Sequence, residues 1–333
     1  MSEKKNWLVD VPVLCIFFVR DDCFAKSFEA VRKARPSKLL LWQDGPRNEK
    51  DMEGIMKCRR IAENIDWECE VFRCYNEKNY GCDPSTFYSH KWAFSLVDKC
   101  IILEDDAVPS QSFFRFCKEL LDKYESDTRV NKICGMNQVK GFDCPDSYFF
   151  ANTGTLGWAT WKRVADTWEE NYEFLEDEYN INTLLALRNS PDHKSYHKSC
   201  LEHKAKGVPH WETVESYARF FNNQLTIVPT VNMIKNVGLG DNSTHSNVKI
   251  ESLSKVKREM FYSDAQEIEF PLKHPKYVYE NVNYKEALFK IAGGKKYPLI
   301  GLKNKMISVM LRIKNGDIKG IINSIKRKLK ISK

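Results

Sequence analysis

No Cys-x-x-Cys pair occurs in this chain of 333 residues, although it holds 11 cysteines, at positions 15, 23, 58, 69, 74, 82, 100, 117, 134, 144 and 200. An odd, scattered set argues against a disulfide framework or a zinc ribbon and suits reduced thiols in a cytoplasmic compartment. No GxxxxGK or GxGxxG loop is present either, so the nucleotide-binding folds built on those phosphate cradles gain no support. Long apolar runs are also missing. "VPVLCIFFV" (11–19) is too short to span a bilayer, and "MSEKKNWLVD" at the start has no apolar core of the signal-peptide kind. The expectation is a cytoplasmic protein without a transmembrane helix.

What is present points to a globular enzyme-sized chain. Hydrophobic residues make up 42% and aromatics 12%, too much apolar surface for a disordered chain. The net charge of +7 is unevenly spread. From Lys295 to Lys333 there are 12 lysines and arginines against the single acid Asp317, while residues 1–294 carry 40 basic and 44 acidic groups. The body is therefore mildly acidic, and nucleic-acid binding is not expected of it. The tail is basic and amphipathic. Ile318, Ile321, Ile322, Ile325 and Leu329 recur at helical spacing, with Lys319, Asn323, Lys326, Arg327 and Lys330 on the other face. Such a helix lies on an anionic membrane surface, the alternative being a helix docked on the body with its lysines in solvent. "YPLIGLKNKMISVMLRI" just before it adds apolar area.

Strand-like and helix-like stretches alternate through the first half. A buried-strand run at "VPVLCIFFVR" is followed by a helical "DCFAKSFEAVRKA" before Pro36, and then by a strand at 38–44 ending in the turn "DGPR". A helix over 48–64, a strand at 67–74, a helix over about 84–98, the strand "KCIILE" and a helix after Ser110 complete the series. This order predicts an α/β fold with a mainly parallel sheet flanked by helices. The second half is expected to hold helices between 173 and 222 beside the sheet, carrying the second substrate's site, and a strand at 225–234.

In open α/β sheets ligands bind beyond the carboxyl ends of the strands. Arg20, Asp44 and the acids Glu104, Asp105 and Asp106 all fall there. Three adjacent carboxylates repel one another unless water or a cation absorbs the charge. As hard oxygen donors at a strand end they suit Mg²⁺ or Mn²⁺, shared with phosphate oxygens of a nucleotide diphosphate. The other reading is a solvated acidic entry to the helix that begins near Ser110. A second metal candidate, His193, His197, Cys200 and His203 at helical spacing, reads better as a solvated helix than as a zinc site.

"QDGPR" (43–47), "NYGC" (79–82), "ILEDD" (102–106) with the following "PS" and "SFF", "CGMN" (134–137), "GWATWKR" (157–163) and "NVGLGDNSTHS" (236–246) occur in a fixed order. In this the chain, from about residue 11 to 247, resembles bacterial glycosyltransferases of the GT-A fold found in capsule and lipopolysaccharide gene clusters, relatives of N-acetylglucosaminyltransferase I. The resemblance implies a GT-A domain over 1–250 (donor half about 1–140, acceptor half about 141–250), a connecting segment at 251–294 and the basic tail at 295–333. It implies a UDP-sugar donor, a glycan or lipid-linked glycan acceptor, Mn²⁺ or Mg²⁺, and a place on the inner face of the cytoplasmic membrane.

Residue by residue, the resemblance makes Asp106 the metal ligand, Asp105 a partner of the ribose or of metal waters, and Glu104 a neighbour of the donor sugar. Arg20 and Asp44 match positions that hold the uracil base, the alternatives being a surface ion pair and a turn-opening Asp. Gly157 and Trp158 match the donor-sugar pocket, the glycine for close approach and the indole as a face for the ring; as residues alone, Trp158 and Trp161 are equally core aromatics. His245 matches a position near the diphosphate, in a loop that Asn236, Gly238 and Gly240 would shape. The family's Trp-Asp pair, whose Asp is the base, is Trp211-Glu212 here, with Glu215 one turn on as a second candidate. The other functions weighed are a sugar-phosphate nucleotidyltransferase, against which "FVRDDCFAKS" lacks the glycine-rich basic loop, and a non-catalytic membrane-bound module.

Overall fold

The computed structural model describes residues 4–154, 156–187, 191–239, 250–293, 297–317 and 321. In chain order β1 (Val9–Phe17), α1 (Asp21–Ala34), β2 (Pro36–Gln43), α2 (Met52–Ala62), β3 (Glu70–Tyr75), α3 (Cys82–Leu96) and β4 (Lys99–Glu104) form the alternating first half. The strands β3-β2-β1-β4 lie side by side, all parallel. Parallel strands covered on both faces read as unbroken apolar runs, and "VPVLCIF" and "KLLLW" do so for that reason. Arg35 in the left-handed region and Pro36 end α1, since proline cannot continue a helix.

The second half weaves back into the same sheet. After β5 (Ala107–Pro109) and α4 (Gln111–Lys123) come β6 (Val130–Cys134), β7 (Tyr148–Ala151), β8 (Trp158–Trp161) and the short α5 (Lys162–Ala165). The helices α6 (Glu178–Leu187), α7 (Pro191–Lys206) and α8 (Trp211–Phe221) precede β9 (Leu225–Pro229) and β10 (Ile234–Asn236). The full order is β3-β2-β1-β4-β8-β6-β9-β7, with β8 and β7 antiparallel to the rest. The expected α/β class and mainly parallel, helix-flanked sheet are thus observed. The expected strand at 225–234 is two strands: β9 joins the sheet, and β10 pairs with β5 in a separate ribbon. "GWATW" is a central antiparallel strand wedged between β4 and β6.

Alternation along β2 divides the core in two. Leu39 and Leu41 face a layer built with α1 and α4, in which Phe113, Phe114, Phe116, Leu120 and Leu121 are wholly buried. Leu40 and Trp42 face a layer with α3 and α8. Each large side chain buried there stabilises by about 1.5–3 kcal/mol, and truncating Phe113 to Ala would cost about 3–5 kcal/mol.

The last elements are α9 (Lys255–Phe261), α10 (Val282–Ala292) and α11 (Pro298–Lys314). Within 251–294, expected as a connecting segment, several side chains pack on the sheet domain. Ile268 and Leu272 enter the first core layer, and Tyr284 packs on Phe149. Glu267 receives the backbone N–H groups of Gln111 and Ser112 at 3.0 and 2.7 Å, capping α4 from a distant segment.

Candidate active site

The carboxyl ends of β1, β2 and β4 adjoin, because Ile16 of β1 is in register with both Trp42 and Glu104. Arg20 follows β1 and the three acids end β4. The guanidinium of Arg20 grips Asp105 with two donors, Nε to Oδ2 at 3.1 Å and Nη2 to Oδ1, and Nη2 also reaches Asp106 Oδ2 at 3.1 Å. Burial would lower the Arg20 pKa, but Asp105 and Asp106 outweigh it and hold it above its usual value. Three carboxylates against one guanidinium leave a formal excess of two negative charges.

That excess shows in the proton affinities. Burial, then Asp106 and Asp105, then Glu212 push Glu104 up to about 8. Burial also raises Asp105, to about 6, against the pull of Arg20. Glu104 is thus within electrostatic reach of Glu212, the first-turn acid of α8, whose side chain is exposed. The pair of His210 with Asp83, two residues after the Gly81 N–H that binds Asp44, brings the start of α8 to the same end of the sheet.

Asp106 is set apart from its neighbours. Its Oδ1 is buried with no hydrogen-bond partner among the described residues. The segment after β10 closes on it: Val237 N–H donates to the Asp106 carbonyl at 2.9 Å, and a Cβ on Gly238 would fall 2.0 Å from Asp106 Oδ2. Only glycine permits that approach. Tyr262, just past α9, has its pKa raised by burial and then by the Asp106 charge, and the next residues are held to the β10 ribbon, with Asn232 Nδ2 donating to Ser263 O at 3.2 Å and Lys235 pairing with Asp264 at 2.7 Å.

An orphaned carboxylate oxygen beside other hard oxygens in a net-negative crevice fits Mg²⁺ or Mn²⁺. Among the described residues no group of three or more His, Cys, Asp or Glu converges as an all-protein cage. The fit is therefore to an open site, in which one carboxylate is supplemented by water and substrate oxygens.

Several expected roles meet different geometry. Both Asp105 oxygens accept from Arg20, so each of the two residues has the other as its first partner. Asp44 is buried and accepts four hydrogen bonds, from the N–H groups of Gly45, Tyr80 and Gly81 and from Asn79 Nδ2, at 2.9–3.0 Å. Burial raises its pKa against those backbone donors. It ties the turn after β2 to the "NYGC" loop that opens α3, and its oxygens are taken within the protein.

Trp158 does not offer a face to a sugar. It is 2% exposed and packs on both Trp211 (centroids 5.5 Å apart) and His90 (5.1 Å), which also stack on each other at 5.7 Å. Trp161 is likewise buried, donating from Nε1 to Leu121 O at 3.0 Å. Gly157 has φ +63°, and a Cβ there would fall 2.5 Å from Ile234 Cδ1, so the close approach it allows is to β10. His245 and Gly240 lie outside the described residues.

The two glutamates of α8 lie one turn apart on the same side of the helix but in different surroundings. Glu212 is exposed at the crevice, while Glu215 is 2% exposed and pairs with Lys132 Nζ at 3.2 Å and Arg219 Nε at 3.3 Å. Burial alone would raise Glu215, but the two cations dominate and its pKa falls. A carboxylate held so is a poor proton acceptor.

Reading the sequence missed Lys132, whose ammonium sits 5.2 Å from the Trp158 ring, and the buried, neutral His90, which burial lowers to about 4. It missed His210, whose Nε2 meets Asp83 Oδ2 at 2.9 Å and joins the starts of α8 and α3. No local pattern marks any of them. Two histidines of α7, His197 and His203, are engaged with α8 and its cap. His197 Nδ1 meets Tyr217 OH, His203 stacks on His210 at 3.7 Å, and Cys200 is fully buried against α8.

No family model matches the chain, and no curated protein sequence matches it. Among solved structures, it is similar to 4-diphosphocytidyl-2C-methyl-D-erythritolsynthase from Anaerococcus prevotii DSM 20548, at 9% identity and TM-score 0.30 over 50% of this chain and 78% of that one. It is also similar to the glycosyltransferase GlyE of Streptococcus pneumoniae TIGR4, at 10% identity and TM-score 0.27 over 56% of this chain and 40% of that one. Likeness of this degree assigns no activity.

Proposed function

We propose that the chain is a metal-dependent, inverting glycosyltransferase of the GT-A type, moving a hexose or N-acetylhexosamine from a UDP-sugar to a glycan or lipid-linked glycan in surface polysaccharide synthesis. The observation that carries the reading is the buried Oδ1 of Asp106, without a hydrogen-bond partner among the described residues, in a cluster where three acids meet one guanidinium at the end of β4. A divalent cation held by Asp106 would supply charge neutralisation at a departing diphosphate.

The chain's own residues do the rest. Arg20 fixes the Asp105 and Asp106 carboxylates, so that Oδ1 of Asp106 stays directed without rearrangement. Glu212 takes the proton of the acceptor hydroxyl as its oxygen attacks the anomeric carbon, and the bond to the diphosphate oxygen breaks on the opposite face. Trp211, stacked on Trp158, holds the first turn of α8 and thereby Glu212. Asp44 orders the "NYGC" loop that would wall the nucleotide pocket. The basic tail is read as the contact with the anionic inner face of the cytoplasmic membrane. Its run 318–329 lies outside the described residues except for Ile321.

Melting curves with a panel of nucleotide sugars, with and without Mn²⁺, test the reading. UDP-sugars should raise the melting temperature in the presence of Mn²⁺, and a panel without any response would overturn it. Glu212→Gln should keep that donor response yet lose transfer by about 10²–10⁴-fold, whereas undiminished transfer would place the base elsewhere.

A further inference from the structure

Helix α11 turns its apolar side outward. Leu299, Leu302, Met306, Val309, Met310 and Ile313 are 45–80% exposed. At 100° per residue they fall within an arc of about 100°. Exposed lysines border the stripe on both sides, Lys303 and Lys314 along one edge and Lys305 along the other, and residues 298–314 contain no acid. The opposite side of the helix is the docked one. Gly301 crosses Gly293 so tightly that a Cβ on Gly293 would fall 2.1 Å from Gly301 N. Asn304 Nδ2 donates to Ile291 O at 3.0 Å, and α11 packs on the 3-10 turn Ile250–Ser252. A free helix would bury its apolar stripe on the body; here small and polar residues are spent on docking, and the large apolar ones are left outside.

We infer that the outward face of α11 inserts into the interface of an anionic lipid bilayer. This rests on the lipid-surface reading of the tail and adds a second, folded element to it. The lysine borders choose the occupant. A second copy of the same stripe would set cations against cations, whereas acidic lipid headgroups match both edges while the acyl boundary takes the stripe. The helix lies on the membrane rather than across it, because no helix of the described residues is long and apolar enough to span.

The placement bears on the reaction. The turn Ile250–Ser252 on which α11 packs leads into α9, Asp264 just past α9 meets Lys235 of β10 at 2.7 Å, and the next residue of β10, Asn236, pairs with Ala107 beside Asp106. The segment that seats α11 is thus tied to the ribbon that follows the acid cluster, and an acceptor carried in the bilayer would be presented from that side.

Co-sedimentation of the full chain with phosphatidylcholine vesicles, with and without phosphatidylglycerol, tests the inference. The variant Leu302→Gln/Met306→Gln/Met310→Gln changes only exposed positions and should lose partitioning onto the mixed vesicles by about tenfold or more, with an unchanged melting temperature. Lys303→Glu/Lys305→Glu/Lys314→Glu should abolish the preference for the anionic lipid, and is the second probe if the first variant misfolds. Wild-type binding by both variants, together with release on deletion of 318–333, would overturn the role of α11 and leave the tail reading standing. Unchanged binding by the deletion and both variants would sink both. A dimer in solution that the glutamine variant dissolves would make the occupant a second copy and refute the lipid assignment.

Discussion

Two charged clusters, one at the end of β4 and one between β6 and α8, are built to opposite rules. At the end of β4, three acids stand beside one arginine that pairs with two of them, and Oδ1 of Asp106 has no hydrogen-bond partner among the described residues. Beneath the Trp158–Trp211 stack, Lys132 and Arg219 share Glu215, the net charge is positive, and Ser216 and Asn152 supply further hydrogen bonds. The first cluster is incomplete and opens to a crevice. The second is satisfied and sealed. A buried charge without a partner is costly, so an unfinished cluster persists only where a ligand completes it, while a finished one fixes structure.

The largest expected effect breaks the first cluster. Asp106→Ala should reduce metal-dependent transfer by about 10³-fold, roughly 4 kcal/mol in barrier height, with little change in melting temperature. Steady-state rates at saturating Mn²⁺ beside a melting curve read both halves, and wild-type rates would refute the metal role. The converse change is Lys132→Met. Leaving Glu215 half-compensated in the interior should cost about 4 kcal/mol of stability in urea unfolding, while donor affinity of the folded fraction stays near wild type. If stability were untouched and donor affinity fell, the two clusters would have exchanged roles.

His90 sharpens the contrast through pH. Its folded-state pKa of about 4 lies below the ordinary 6.5, so the unfolded chain binds the extra proton between those values. The stability it contributes is present above pH 6.5 and is lost as pH falls toward 4, by about 3 kcal/mol. His90→Phe should flatten the stability–pH curve in that window relative to wild type, and an unchanged slope would count against a neutral His90. The smallest effect is expected at Gly238→Ala, where the new methyl presses on Asp106 Oδ2. Mn²⁺ affinity by titration should weaken by about tenfold with stability nearly intact.

Much of this was legible in the residues. Local periodicity gave the strand–helix order of the first half, because side-chain alternation and helical spacing are short-range. The crevice acids were legible too, since strand ends are where polar groups collect in such sheets. What failed to read through was partnership. "GWATW" has the composition of either a core strand or a sugar platform, and only pairing of β8 with β4 and β6 decides for the core. Asp44 in "QDGPR" looks free until the loop 79–81, far along the chain, supplies three of its four hydrogen bonds. Glu212 and Glu215 differ in one helical turn, and the turn alone sends one to solvent and the other to two cations.

The sequence by itself determined the α/β class, the acidic strand end, the first-turn glutamate and the split between a mildly acidic body and a basic tail. Each of these depends on neighbours within a few residues or on composition. The tertiary structure alone decided that Arg20 belongs to Asp105, that Gly238 presses on Asp106, that Trp158 is sealed and that α11 shows its apolar side outward. Those outcomes depend on segments tens to hundreds of residues apart coming within a few ångströms, and no short-range pattern encodes such contacts.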